Sequence, residues 1–160
     1  MATANPYATD LAGRDPIAAY SETPRKIRAV TANWSAAQFE RSYAPGKWPA
    51  RKILIHLAQT ELALGTRARM AASTPNYAAQ SFNQDEWLAK EHTLGGREAV
   101  DAFVAIASMN RAFFEGLSTV DRTSTLNHPE YGVLTVQWIL EQLAGHQIHH
   151  LKQLEQVSRA

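Results

Sequence analysis

Four stretches of the chain repeat apolar residues at helical spacing, and turn-forming residues separate them. The first runs from about Pro16 to Trp34. Asp15 followed by Pro16 is a helix start, a side-chain cap and then proline at the first helical position. Ile17, Tyr20, Ile27, Thr31 and Trp34 share one face. Pro24 lies in the same stripe and predicts a kink or a restart there, with Thr23 as the cap of the second piece. Ser35 is placed to cap a short turn, Ala36 to Glu40. The second stretch runs from Trp48-Pro49 to about Ala72, with Ile53, His56, Leu57, Thr60 and Leu64 on one face. The third covers about Arg97 to Leu117, with Val100, Phe103, Val104, Ala107, Phe114 and Leu117 inward. The last opens near Thr135 and reaches about Val157.

Helices with one apolar stripe and no alternating strand pattern bury those stripes on one another. The expected fold is all-α, a four-helix bundle within a single domain spanning residues 1–160. Residues 1–14 are expected to form an irregular N-terminal arm. The connection over 73–96 is long for a bundle and holds a short helix at Asn83-Gln84-Asp85-Glu86-Trp87. It is either a lid or pocket wall, or a surface excursion. The polar segment Ser118 to Leu134 forms either a small hairpin or a turn.

Composition narrows the function classes. The 160 residues are 45% hydrophobic, the balance of a soluble globular protein. No apolar run is long enough to cross a bilayer, and the N-terminus lacks a basic-then-apolar leader. A cytoplasmic location is the default expectation, with no membrane partner. The chain has no cysteine, which excludes disulfides, thiolate ligands and a cysteine nucleophile. The 16 basic and 15 acidic residues leave a net charge of +1 with no basic stripe, so nucleic acid is not an expected partner.

The candidate chemistry lies in the histidines. Three of the six cluster in Gly145-His146-Gln147-Ile148-His149-His150. With about 100° per residue and His146 at zero, the apolar stripe of the last helix centres near about 50°. His150, at about 40°, lies in its middle, His146 lies inside it, and His149, at about −60°, lies at or beyond its edge. Two imidazoles one turn apart in a core stripe need partners for their nitrogens, and a shared metal supplies them. His56, on the inward face of the second helix, provides a third ring from a different element. His149 is placed at the rim, whereas His92 and His128, in connections, are expected at the surface. Glu61 is expected on the flank of its helix, paired or solvated. Trp48, Trp87 and Trp138 are read as packing residues.

Gly46-Lys47-Trp48 with the segment Ile53 to Glu61, the segment Asn127 to Gly132, and the closing segment Gly145 to Leu154 together resemble the signatures of the DinB/YfiT-like superfamily. The resemblance runs from about residue 15 to 157. It implies a bundle of DinB/YfiT type, with its long connection between the second and third helices, and a divalent metal held by His56, His146 and His150. Those are the residues that the angular argument selects. Where many relatives carry an acidic residue three positions after the first histidine, this chain has Gln59, which offers an amide to a metal-bound water instead. Branches of the family resemble transferases dependent on a low-molecular-weight thiol such as bacillithiol or mycothiol.

Three imidazoles leave a coordination position open, the pattern of a catalytic rather than a structural site. All-imidazole ligation suits zinc first and nickel second. The expected function is a metal-dependent enzyme acting on a small molecule, in the first instance a thiol-dependent S-transferase whose thiol is a co-substrate. The alternatives are a metal-dependent hydrolase and a non-catalytic, stress-associated metal-binding bundle. Pocket candidates are Gln59, Thr60, Asp85 and His149. A homodimer is the expectation that the family resemblance supplies for assembly.

Overall fold

The computed structural model describes residues 3–159. Four long helices form the body: α2 (Pro16–Thr31), α4 (Ala50–Ser73), α6 (Gly96–Gly116) and α8 (Val136–Arg159). Short helices join them: α1 (Ala8–Leu11), α3 (Ala36–Phe39), α5 (Gln84–Lys90) and α7 (Thr119–Arg122). A hairpin of β1 (Thr125–His128) and β2 (Gly132–Thr135) precedes α8. α4 packs on α6 and α8, while α2 packs on the same two from the other side, so α2 and α4 face each other diagonally. The fold is therefore the four-helix bundle that the apolar stripes require.

Local chemistry accounts for the boundaries. Asp15 accepts the Ala18 amide at 2.7 Å and opens α2. α2 then runs unbroken through Pro24, so of the kink or restart expected there the restart does not occur. The Thr23 hydroxyl donates back to the Ala19 carbonyl at 2.9 Å rather than capping a new helix. Burial of Tyr20, Pro24 and Ile27 in the core holds the helix together across the missing N–H. Ser35 and Gln38 form a capping box around α3. Asn83 accepts two amides to start α5.

The core is built from Tyr20, Ile27, Ile53, Leu54, Leu57, Phe103, Phe114, Ile139, Leu140 and Leu143, all within 1% of complete burial. At its centre a polar cluster joins all four long helices. Glu61, expected on a helix flank, is instead only 1% exposed. It accepts the hydroxyl of Tyr20, Asn110 Nδ2 at 2.9 Å and Gln147 Nε2 at 2.7 Å. Tertiary packing placed it there. It lies five residues after His56, and α4 is surrounded closely enough by α6, α8 and the long connection that most of its faces are buried. Burial pushes the Glu61 carboxyl above its ordinary value.

The segment after Ser118 is the small hairpin, paired antiparallel from Thr125↔Thr135 to His128↔Gly132. Gly132 adopts φ +71°, the left-handed conformation that closes its turn. The connection between α4 and α5 runs beside β1, with Asn127 donating to the Tyr77 carbonyl at 2.9 Å and Ala79 donating to that of Asn127 at 2.8 Å. This pairing fixes the connection as a wall over the end of the bundle. The N-terminal arm, expected to be irregular, contains the helical turn α1. It docks on α8 through buried Leu11 and the Lys152–Asp10 ion pair of 2.7 Å. Its residues 1 and 2 lie outside the described residues. No described helix is long and apolar enough to cross a membrane.

Candidate metal centre

α4 and α8 are neighbours in the bundle, and His56 of α4 meets His146 and His150 of α8. His146 Nε2 lies 3.0 Å from His56 Nε2 and 3.0 Å from His150 Nε2. One nitrogen from each of the three rings falls within 4.8 Å of the others. All three residues are buried, at 6%, 3% and 7% exposure for His56, His146 and His150. Burial drives their proton affinity down: His56 to about 4, His150 to about 3, and His146 well below its ordinary value. For His146 the neighbouring rings add to the effect. The three imidazoles are neutral at physiological pH, so each keeps a lone pair for a cation.

The arrangement can be tested against protein-only hydrogen bonding. A neutral imidazole has one N–H and one lone pair. The single proton that His146 Nε2 could carry would satisfy one of its two 3.0 Å contacts and leave the other without a bond. A cation facing three lone pairs satisfies all of them. A tetrahedral zinc ion with bonds of about 2.0–2.1 Å separates its nitrogens by about 3.3 Å, close to the observed spacing. The residues present therefore fit a divalent metal. His150 Nδ1 meets Gln153 Oε1 at 2.7 Å, a contact that leaves the Nε2 lone pair facing the other two rings. The Nδ1 atoms of His56 and His146 are buried without a partner.

The other predicted residues separate around this centre. Thr60 lines the cavity beside the histidines, its hydroxyl oxygen buried and unpartnered. Gln59 points elsewhere: its Nε2 donates to Glu91 Oε2 at 2.7 Å and ties α4 to the end of α5. The amide nitrogen is thus committed to the long connection, while Oε1 is buried without a partner. Asp85 is exposed and outside the cavity wall, although its charge opposes the lowering of His56. His149 sits at the rim, its Nδ1 3.2 Å from Asp10 Oδ2. Trp48 packs edge-on against His56, with ring centroids 5.4 Å apart. Trp87 packs on Phe82 at 5.0 Å, and Trp138 donates to the Thr3 carbonyl at 2.9 Å.

A cavity of about 280 Å³ opens from His56 and His146 toward the hairpin. Tyr7 and His128 are among its wall residues that were not foreseen. Tyr7, in the N-terminal arm, stacks edge-on against His146 at 5.0 Å. His128, expected at the surface, is buried to 6% exposure. The pairing of β1 with β2 and with the 77–79 segment draws it inward. Its place in the Asn127-to-Gly132 signature was the signal that marked it.

A family profile described as the DinB superfamily matches residues 19–154. The chain belongs to the DinB superfamily. This DinB chain is 24% identical over 131 residues to the Oceanobacillus iheyensis protein named "Putative metal-dependent hydrolase OB0782", covering 81% of the chain and 76% of that protein. A second Oceanobacillus iheyensis protein of the same description, OB0413, is 21% identical, with 74% and 69% coverage. Among solved structures, Bacillus subtilis YfiT, described as a probable metal-dependent hydrolase with an unusual four-helix bundle topology, superposes with a TM-score of 0.82 at 18% identity. The match covers 90% of this chain and 84% of that one. A mycothiol-dependent maleylpyruvate isomerase superposes with a TM-score of 0.73 at 13% identity, over 87% of this chain and 59% of that one. At these identities the two structural likenesses establish the fold.

Proposed function

We propose that this DinB protein is a metal-dependent enzyme in which His56, His146 and His150 hold one divalent ion, zinc first and nickel second. Its reaction is the transfer of a low-molecular-weight thiol to an electrophilic small molecule. The observation that carries this reading is the convergence of three buried, neutral imidazoles, two of which, His56 and His146, lie on the wall of an open cavity. When bound, the ion supplies Lewis acidity that lowers the proton affinity of a coordinated thiol or water.

The chain's own residues favour the thiol over water. Activating water for hydrolysis is helped by a carboxylate base, and among the described residues Glu130 is the one carboxylate on the cavity wall. It is engaged by the Ser81 hydroxyl at 2.6 Å, in the hairpin turn. A thiol needs less help, because its ordinary proton affinity is already near neutrality. With no cysteine in the chain, the sulfur comes from a co-substrate. The described mycothiol dependence of a protein with this fold supports that choice. Tyr7 and Thr60 would orient the substrate, and the arm with the hairpin would exclude water.

Hydrolysis is the second reading, favoured by the descriptions of the Oceanobacillus iheyensis relatives and of YfiT. The deciding experiment incubates zinc-loaded protein with a bimane halide and each of mycothiol, bacillithiol, glutathione and coenzyme A, following thioether fluorescence. In parallel, an ester and amide panel is followed for acid release. Saturable thioether formation lost in His56→Ala supports the transferase. Hydrolysis alone supports the second reading, and neither activity in metal-loaded protein leaves a metal-binding bundle without turnover.

A further inference from the structure

The same cavity has a second polar end. The face of α4 that carries His56 continues through Thr60 and Leu64 to Arg67, and all four residues line the cavity. Arg67 forms no ion pair among the described residues. It donates to the Gln80 carbonyl and lies over the Phe82 ring, 5.7 Å from its centroid. Those contacts orient the guanidinium and leave it with unused donors, its charge offset in part through space by Glu130. Partial burial pushes its proton affinity below the ordinary value, against the opposing effect of the Glu130 charge.

His128 faces the same space with a defined tautomer. Its Nδ1 accepts the backbone amides of Glu130 at 3.2 Å and Tyr131 at 3.3 Å, so its hydrogen sits on Nε2. Burial and the nearby Arg67 charge both hold this ring neutral. Its Nε2–H has no acceptor among the described residues. Glu130 also reaches the cavity wall, but it is exposed and turned to Ser81. A forked cation and a fixed neutral donor, neither in direct contact with a carboxylate among the described residues although the Glu130 charge acts on both from nearby, form the recognition set for a planar anion.

We propose that Arg67 and His128 form a carboxylate-binding subsite, so that the substrate is a small carboxylic acid anchored there while its reactive end faces the three histidines. The choice of reactive end rests on the proposed function, whereas the anion subsite stands on its own.

The test therefore begins on chelated protein at pH 7.5. Succinate and its uncharged analogue succinamide are titrated while the His128 Nε2–H and Arg67 Nε–H signals are followed by NMR. Expected are saturable shifts with succinate, little response to succinamide, and binding weakened by about tenfold or more in Arg67→Gln and His128→Asn. Asparagine keeps an acceptor for the turn amides while removing the Nε2–H. Arg67→Lys, which keeps the charge without the fork, should fall between wild type and Arg67→Gln and covers the case in which the glutamine variant folds poorly. Equal affinity for succinate and succinamide, or wild-type succinate affinity in Arg67→Gln or His128→Asn, overturns the subsite. Metal content is measured separately. Succinate binding without metal retention removes the metal reading alone, and metal retention without selective succinate binding removes the subsite alone.

Discussion

The carbonyl oxygen of Tyr7 lies 2.6 Å from the position where a Cβ on Gly145 would stand, so the N-terminal arm rests on the backbone of α8 one residue before His146. No side chain fits between them. The contact also explains the edge-on packing of Tyr7 against His146. An arm distant in sequence thereby becomes part of the cavity wall.

Gly145→Ala should displace the arm while leaving the bundle folded. Alanine favours the helix by about 1 kcal/mol over glycine, which offsets part of a steric cost of about 1–3 kcal/mol. The net change in global stability is small, and the loss is local. Amide exchange at Leu11, which donates to the Tyr7 carbonyl at 3.0 Å, should quicken markedly while core amides of α4 and α6 stay protected. Unchanged exchange at Leu11 would show that the arm tolerates the methyl group.

Replacing any one of His56, His146 and His150 by alanine should reduce bound zinc from about one equivalent to a small fraction after dialysis, measured by elemental analysis. His149→Ala, at the rim, should retain the metal. A metal present at a hundred times its dissociation constant adds about 2.7 kcal/mol to stability, so chelation should lower the melting temperature of wild type and not of His146→Ala.

The pH dependence separates into two windows. In the unfolded chain the histidines take up protons near about 6.5. In the folded metal-free protein His56 does so only at about 4 and His150 at about 3. Between these limits the unfolded state binds more protons, so stability falls as pH drops below about 6.5 and the loss levels off once the folded values are passed. Proton competition with metal in the folded state begins only near the lower values. Urea unfolding of chelated protein should therefore show a lower midpoint at pH 5 than at pH 7.5. Zinc affinity of the folded protein should hold down to about pH 5, and a steep fall already between pH 7 and 6 would contradict the buried neutral rings.

Tyr20→Phe removes a donor to the buried Glu61 carboxylate and should cost about 1.5–3 kcal/mol in denaturant unfolding. Gln147 also donates to Glu61, so this cluster sets the rotation of α8 against α4 and thereby the facing of His146 and His56. A wild-type unfolding midpoint in Tyr20→Phe would show that the hydroxyl contributes nothing net.

The bundle and the meeting of His56, His146 and His150 were legible in the sequence because helical periodicity is local. A residue's place in its apolar stripe follows from spacing alone, so two rings one turn apart on α8 and one on the inward face of α4 were marked as core-facing before any packing was known. The same logic marked His149 as a rim residue. Only the tertiary structure placed Glu61, His128, Gln59 and Tyr7. Glu61 is buried because its surroundings are three other helices carrying matched donors, and burial by neighbours leaves no trace in spacing along one helix. His128 turns inward through pairing between segments some fifty residues apart, Asn127 with Tyr77 and Ala79. Gln59 is drawn from the centre by Glu91 of the long connection, and Tyr7 reaches His146 because Gly145 has no side chain. Periodicity determines which face of a helix turns inward, while the partners waiting there are chosen by contacts between residues far apart in the chain.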